Sequence, residues 1–122
     1  MSDWVTPQRL ASLYDFFRAC PPFNRWRLPE SDEVEFVTSP RRDLQGECAV
    51  FPDGTNVITI STALNGHFDN VASILAHEMI HLGQRIRKME TANTMHNADF
   101  TKQAKLACRR FGWDYKAFPG SY

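Results

Sequence analysis

Residues 76–83 read AHEMIHLG, two histidines four apart with a glutamate directly after the first. Four residues make about one helical turn, so on a helix His77 and His81 project from one face toward a point where a single cation could join them. In shuffled chains of this composition H-E-x-x-H arises about once in two hundred, so the surroundings decide between a metal-binding helix and a helix that happens to carry two histidines. They favour the metal. Val71, Ile74, Leu75, Leu82 and Ile86 recur at helical spacing around the motif, and Asp69 can serve as N-cap, which predicts a helix running to about Met89. Glu78 falls four residues from both Ile74 and Leu82, on the apolar stripe, where an unpaired carboxylate is costly, and a metal-bound water is one thing that would justify it.

Upstream, Thr6-Pro7 reads as an N-cap followed by a proline in the first turn. Leu10, Leu13, Tyr14 and Phe17 then give a buried helical stripe that ends at Pro21-Pro22. From DEVEFVTSP to GECAVFPDGTNVITIST the pattern changes to short β-branched and aromatic runs broken by turn residues. It predicts strands at 33–38, 46–51 and 56–61, the last two a hairpin, in a small antiparallel sheet. Asn65-Gly66 is a turn pair ahead of the motif helix, residues 90–95 form a loop, and a last helix over 98–111 buries Phe100, Ala104 and Ala107. The fold class is α+β, in one domain spanning residues 1–122.

A hydrolytic zinc site takes three protein ligands and leaves a fourth position to water. The metzincin pattern is excluded, because its third histidine and its glycine would fall on Arg87 and Gln84. Glu90 is too close to the end of the same helix to turn back. His96 follows a loop long enough to reverse direction and is well placed as third ligand. Asp99 is the second choice, or a partner that orients a histidine. His67 belongs at the rim. Three neutral imidazoles leave zinc its charge, which lowers the pKa of its water toward about 7, and Glu78 is then the general base. For stabilising an oxyanion the candidates are Arg85, His67 and Tyr115.

Lys and Arg number 14, as do Asp and Glu, which argues against a surface built wholly for nucleic acid. The balance conceals an asymmetry: residues 1–80 carry 6 basic and 11 acidic side chains, residues 81–122 carry 8 and 3. Non-specific DNA contact, if made, falls to the C-terminal half, with Arg85, Arg87, Lys88, Lys102, Lys105, Arg109 and Arg110 as its pool. Cys20, Cys48 and Cys108 form no C-x-x-C pair and read as free thiols in a reducing, cytoplasmic setting. No signal peptide or membrane span is expected.

The chain resembles the SprT-like (Spartan-type) zinc metalloproteases. LYDFFRACPPFNRWRLP is similar to the family's opening helix, and VEFVTSPRRDLQGEC to its strand and G-x-C segment. ITISTALNGHFDNVASILAHEMIHL is similar to its strand, serine turn and H-E-M-I-H helix, and HNADF stands where the family has H-G-x-x-F. The resemblance implies a minimal zincin-like core without a zinc ribbon, with Zn2+ on His77, His81 and His96 and Glu78 as base. It implies a zinc-dependent endopeptidase; action on DNA-associated proteins is not carried over with it, because the zinc ribbon or second DNA-binding subdomain of larger relatives is absent. Asn97 replaces the family's glycine, which asparagine tolerates in left-handed backbone. Substrate is expected to extend along an edge strand at Glu47, Cys48, Ala49, Val50 and Phe51. The alternative is a non-proteolytic module, binding DNA or protein, that keeps zinc for folding, and Glu78 separates the two because a structural site has no need of it.

Overall fold

Thr6 opens helix α1 (Pro7–Arg18) as expected: its backbone is extended and its hydroxyl accepts from the Arg9 N–H at 3.2 Å. Leu10, Tyr14 and Phe17 are buried, and the Tyr14 hydroxyl donates to the Pro29 carbonyl at 2.6 Å, so the ring sinks into the core without an orphaned polar atom. The computed structural model describes residues 4–63, 67–92, 94 and 96–119. Its further elements are β1 (Val34–Ser39), β2 (Gly46–Val50), β3 (Asn56–Ser61), α2 (Phe68–Arg87) and α3 (Ala98–Phe111), with short 3-10 turns between them. The turn expected at Asn65-Gly66 lies outside the described residues, as do residues 93 and 95 of the loop before α3. No helix among the described residues is long and apolar enough to cross a membrane.

The sheet is mixed rather than antiparallel. Its order is β1-β3-β2: β2 and β3 form the expected antiparallel hairpin, while β1 lies on the other side of β3 and runs parallel to it, with Phe36 opposite Ile58. The apolar run of β3 explains the order. Val57, Ile58 and Ile60 are all buried, so this strand takes the centre, where both edges are paired, and the two more polar strands become edges. Ser39 and Ser61 tie the chain's departure from the sheet: the Thr62 N–H donates to the Ser39 carbonyl at 2.8 Å, and the Ser61 hydroxyl to that of Arg41 at 2.6 Å.

Helix α2 packs on β2, β3, α1 and α3. It is buried nearly all round in its middle, from Val71 to Gln84, and not along one stripe. Two details differ from expectation. His67, not Asp69, is the N-cap, and Ile86 is 38% exposed. Gly83 is required inside this helix: a Cβ built there would stand 2.4 Å from the Trp26 ring, which lies flush on the helix backbone. Gly46 has the same role on β2, where a Cβ would meet Ile74 at 2.8 Å and the Glu78 carboxylate at 3.1 Å.

Candidate metal centre

Helical spacing brings His77 and His81 together on α2, their Nε2 atoms 3.1 Å apart. His96 arrives from the turn before α3, and one ligand nitrogen from each of the three lies within 4.8 Å of the others. Phe100, one turn into α3 and fully buried, underlies all three rings, with centroids 4.5 Å from His96, 4.9 Å from His81 and 5.0 Å from His77. The residues fit a divalent cation. The Nδ1–H of His77 donates to the Pro119 carbonyl at 2.9 Å, which leaves the Nε2 lone pair facing its neighbours. Nε2 of His96 is buried without a hydrogen-bond partner among the described residues. A buried nitrogen without a partner, on a ring whose centroid lies 5.0 Å from that of His77 and 5.2 Å from that of His81, is what a metal would satisfy.

Burial holds these imidazoles neutral, the form that ligates. It pulls His77 down to about 4 against the opposing Pro119 hydrogen bond, and His81 to about 3 with help from the neighbouring histidines. His96 is lowered by burial as well. Glu78, 5% exposed, is pushed up to about 8, by burial first and the Glu47 carboxylate second. Its Oε2 lies 3.9 Å from Nε2 of His77, but with the imidazole neutral this contact is no ion pair. A cation among the histidines would draw Glu78 the other way, toward the carboxylate.

A cavity of about 340 Å³ opens over the histidines, and Glu47, Cys48, Glu78, Arg85 and Glu90 help to line it. Of the expected substrate strand, Glu47 and Cys48 reach this cavity, while Ala49 and Val50 continue the edge away from it. Phe51 lies beyond β2 and closes the hairpin through its N–H to the Thr55 carbonyl at 2.9 Å. Of the three oxyanion candidates Arg85 alone lines the cavity; His67 caps α2, and the ring of Tyr115 lies under Lys105.

Asp99 is not among the clustered ligand atoms. It is engaged by Arg87 through two bonds, at 3.2 and 2.9 Å, by Gln84 at 3.2 Å and by Gln103 at 3.3 Å. Burial alone would raise its carboxyl, yet these donors hold it below the usual carboxylate range. Asn97 is extended rather than left-handed, and caps α3. Its Oδ1 accepts from the Phe100 N–H at 2.9 Å and from Gln84 at 2.8 Å, while its amide donates to the Met89 carbonyl at 3.0 Å. Gln84, 1% exposed, thus joins α2 to the start of α3 one turn from His81. Sequence reading missed Gln84 as a site residue, though an amide amid an apolar helix carries the same signal that singled out Glu78.

Within the basic pool Arg85 faces the cavity and Arg87 is taken up by Asp99, leaving Lys88, Lys102, Lys105, Arg109 and Arg110 exposed. No family model, no curated protein and no solved structure matches this chain.

Proposed function

We propose that the chain is a zinc-dependent endopeptidase of the SprT-like kind. One observation carries the reading: a glutamate 5% exposed, with no cation to pair with among the described residues, borders three converging imidazoles beneath an open cavity. In a merely structural site that carboxyl would be a cost without a return. His77, His81 and His96 would hold zinc, the metal suited to an all-imidazole set with one position left over. When bound, the ion supplies Lewis acidity, which acidifies water and polarises a carbonyl. Glu78 takes the proton of the attacking water on a carboxylate oxygen and returns it to the nitrogen of the leaving amine. The Pro119 carbonyl holds His77 in the tautomer whose Nε2 is free, and Phe100 keeps water from behind the rings. The free edge of β2 offers backbone groups to an extended substrate. Non-specific contact with DNA, through the exposed Lys and Arg of the C-terminal half, belongs to the same proposal and would weaken steeply with salt.

The test is Glu78→Gln, assayed for zinc content and for cleavage of unfolded protein substrates. The variant should keep one zinc per chain and lose about 10² to 10⁴-fold in turnover. Near-wild-type turnover would overturn the mechanism, and full zinc with no cleavage by either protein would favour a zinc-stabilised binding module.

A further inference from the structure

Arg85 and Arg87, two residues apart on α2, meet different fates. Arg87 is paired: its Nη1 and Nη2 donate to Asp99 and its guanidinium stands 4.7 Å from the centre of the Trp26 ring, while its buried Nε has no hydrogen-bond partner among the described residues. Arg85 is half-buried, lines the cavity over the histidines and makes no ion pair among the described residues. Its one side-chain contact of note is Nη1 at 3.9 Å from the Sγ of Cys48, a weak acceptor. Glu47 and Glu90 line the same cavity, yet neither comes within ion-pair distance of it. A guanidinium held partly out of water without an anion forgoes the paired, charge-assisted bonds to which its planar fork is suited.

Strand β2 serves as a ruler for where that guanidinium stands. A Cβ on Gly46 would lie 3.1 Å from Oε2 of Glu78, and Cys48, the next residue on that face, is the one that touches Arg85. Two strand residues span about 7 Å, so the guanidinium stands one to two peptide residues along from the general base. That position suits a group on a neighbouring residue of the same extended peptide.

We propose that Arg85 is a specificity residue, which on the peptidase reading above receives one substrate carboxylate carried one or two residues from the cleaved bond. That carboxylate is an Asp or Glu side chain or a free C-terminus. Glu47 and Glu90 repel further acid, so the preference is for a single carboxylate and not for an acidic run.

Binding tests this without turnover. Anisotropy is measured on zinc-loaded and zinc-free Glu78→Gln protein with dye-labelled, amidated Ala/Gly hexapeptides in which one Glu is moved through every position. A companion peptide has no Glu and ends in a free carboxylate. One Glu register, or the free C-terminus, should bind about tenfold tighter than the acid-free amide, and whichever arm gains names the source. Added Arg85→Met should abolish the advantage, Arg85→Lys should keep part of it, and Arg85→Glu should transfer it to a Lys-bearing peptide. Lack of acid preference with Arg85 in place, or a preference that survives Arg85→Met, overturns the assignment. Should Arg85→Met fail to fold, a preference unchanged in both Arg85→Lys and Arg85→Glu does so equally. Failure of the zinc-loaded protein with Glu78 intact to cleave any of these peptides would count against the peptidase reading and leave the binding result standing.

Discussion

Gly83→Ala inverts the usual rule for glycine in a helix. In an ordinary helix interior the substitution stabilises by about 1 kcal/mol, because alanine loses less backbone freedom on folding. Here the new methyl would stand 2.4 Å from Cε3 of Trp26, with Cζ3 at 3.0 Å and Cδ2 at 3.1 Å, so the ring has to retreat by about 1 Å. The ring has little room to do so. Trp26 is 5% exposed, packs edge-on against Phe23 at 5.1 Å and carries the Arg87 guanidinium on its face. Overpacking of this kind costs up to about 3 kcal/mol, and loosening the Arg87 contact adds to it. After subtraction of the helical gain, a net loss of about 2 kcal/mol is expected, a fall in Tm of roughly 6 to 10 °C for a chain of this size. Thermal unfolding followed by circular dichroism in EDTA isolates the packing effect from any metal. An unchanged or raised Tm would refute the account of Trp26 seated on the helix backbone.

Other outcomes follow from the same geometry. His96→Ala should abolish tight zinc binding, whereas Asp99→Ala should keep one zinc per chain and lose stability instead; the reverse pattern in a metal titration would make Asp99 the ligand. Because the folded state depresses the Asp99 carboxyl, the stability it contributes is present above the unfolded value of about 4 and is lost as pH falls through the folded one. Asp99→Asn should therefore cost about 1 to 2 kcal/mol at pH 7, with the gap closing in urea titrations below about pH 4. On β2 the register and the Ser61 N–H to Gln45 carbonyl bond direct the backbone groups of Ala49 to β3 and those of Val50 to the free edge. Val50→Pro should thus weaken peptide binding more than stability and Ala49→Pro the opposite, as paired anisotropy and melting measurements would reveal.

Much of this protein is legible along the chain because its signals are local. The cap at Thr6, the hairpin turn at Pro52-Asp53-Gly54, the last helix and the pairing of His77 with His81 each follow from neighbours within a turn or a hairpin. His96 could be nominated, since loop length bounds where it can reach. What the chain does not write down is which surfaces meet. β3, the most buried strand, takes the centre between β2 and β1, and β1 runs parallel to it where a local rule predicts antiparallel pairing. Asn97 is drawn into an extended cap by Gln84 on α2 and by Met89 just beyond it, and Gly46 and Gly83 are fixed by atoms of Glu78 and Trp26 far away in sequence. Arg85 and Arg87 are equivalent in composition and nearly so in position. Only the tertiary structure, by bringing Asp99 to one and leaving the other over the histidines, gives them different work, because a charge is defined by the groups that solvate it and those come from the whole fold.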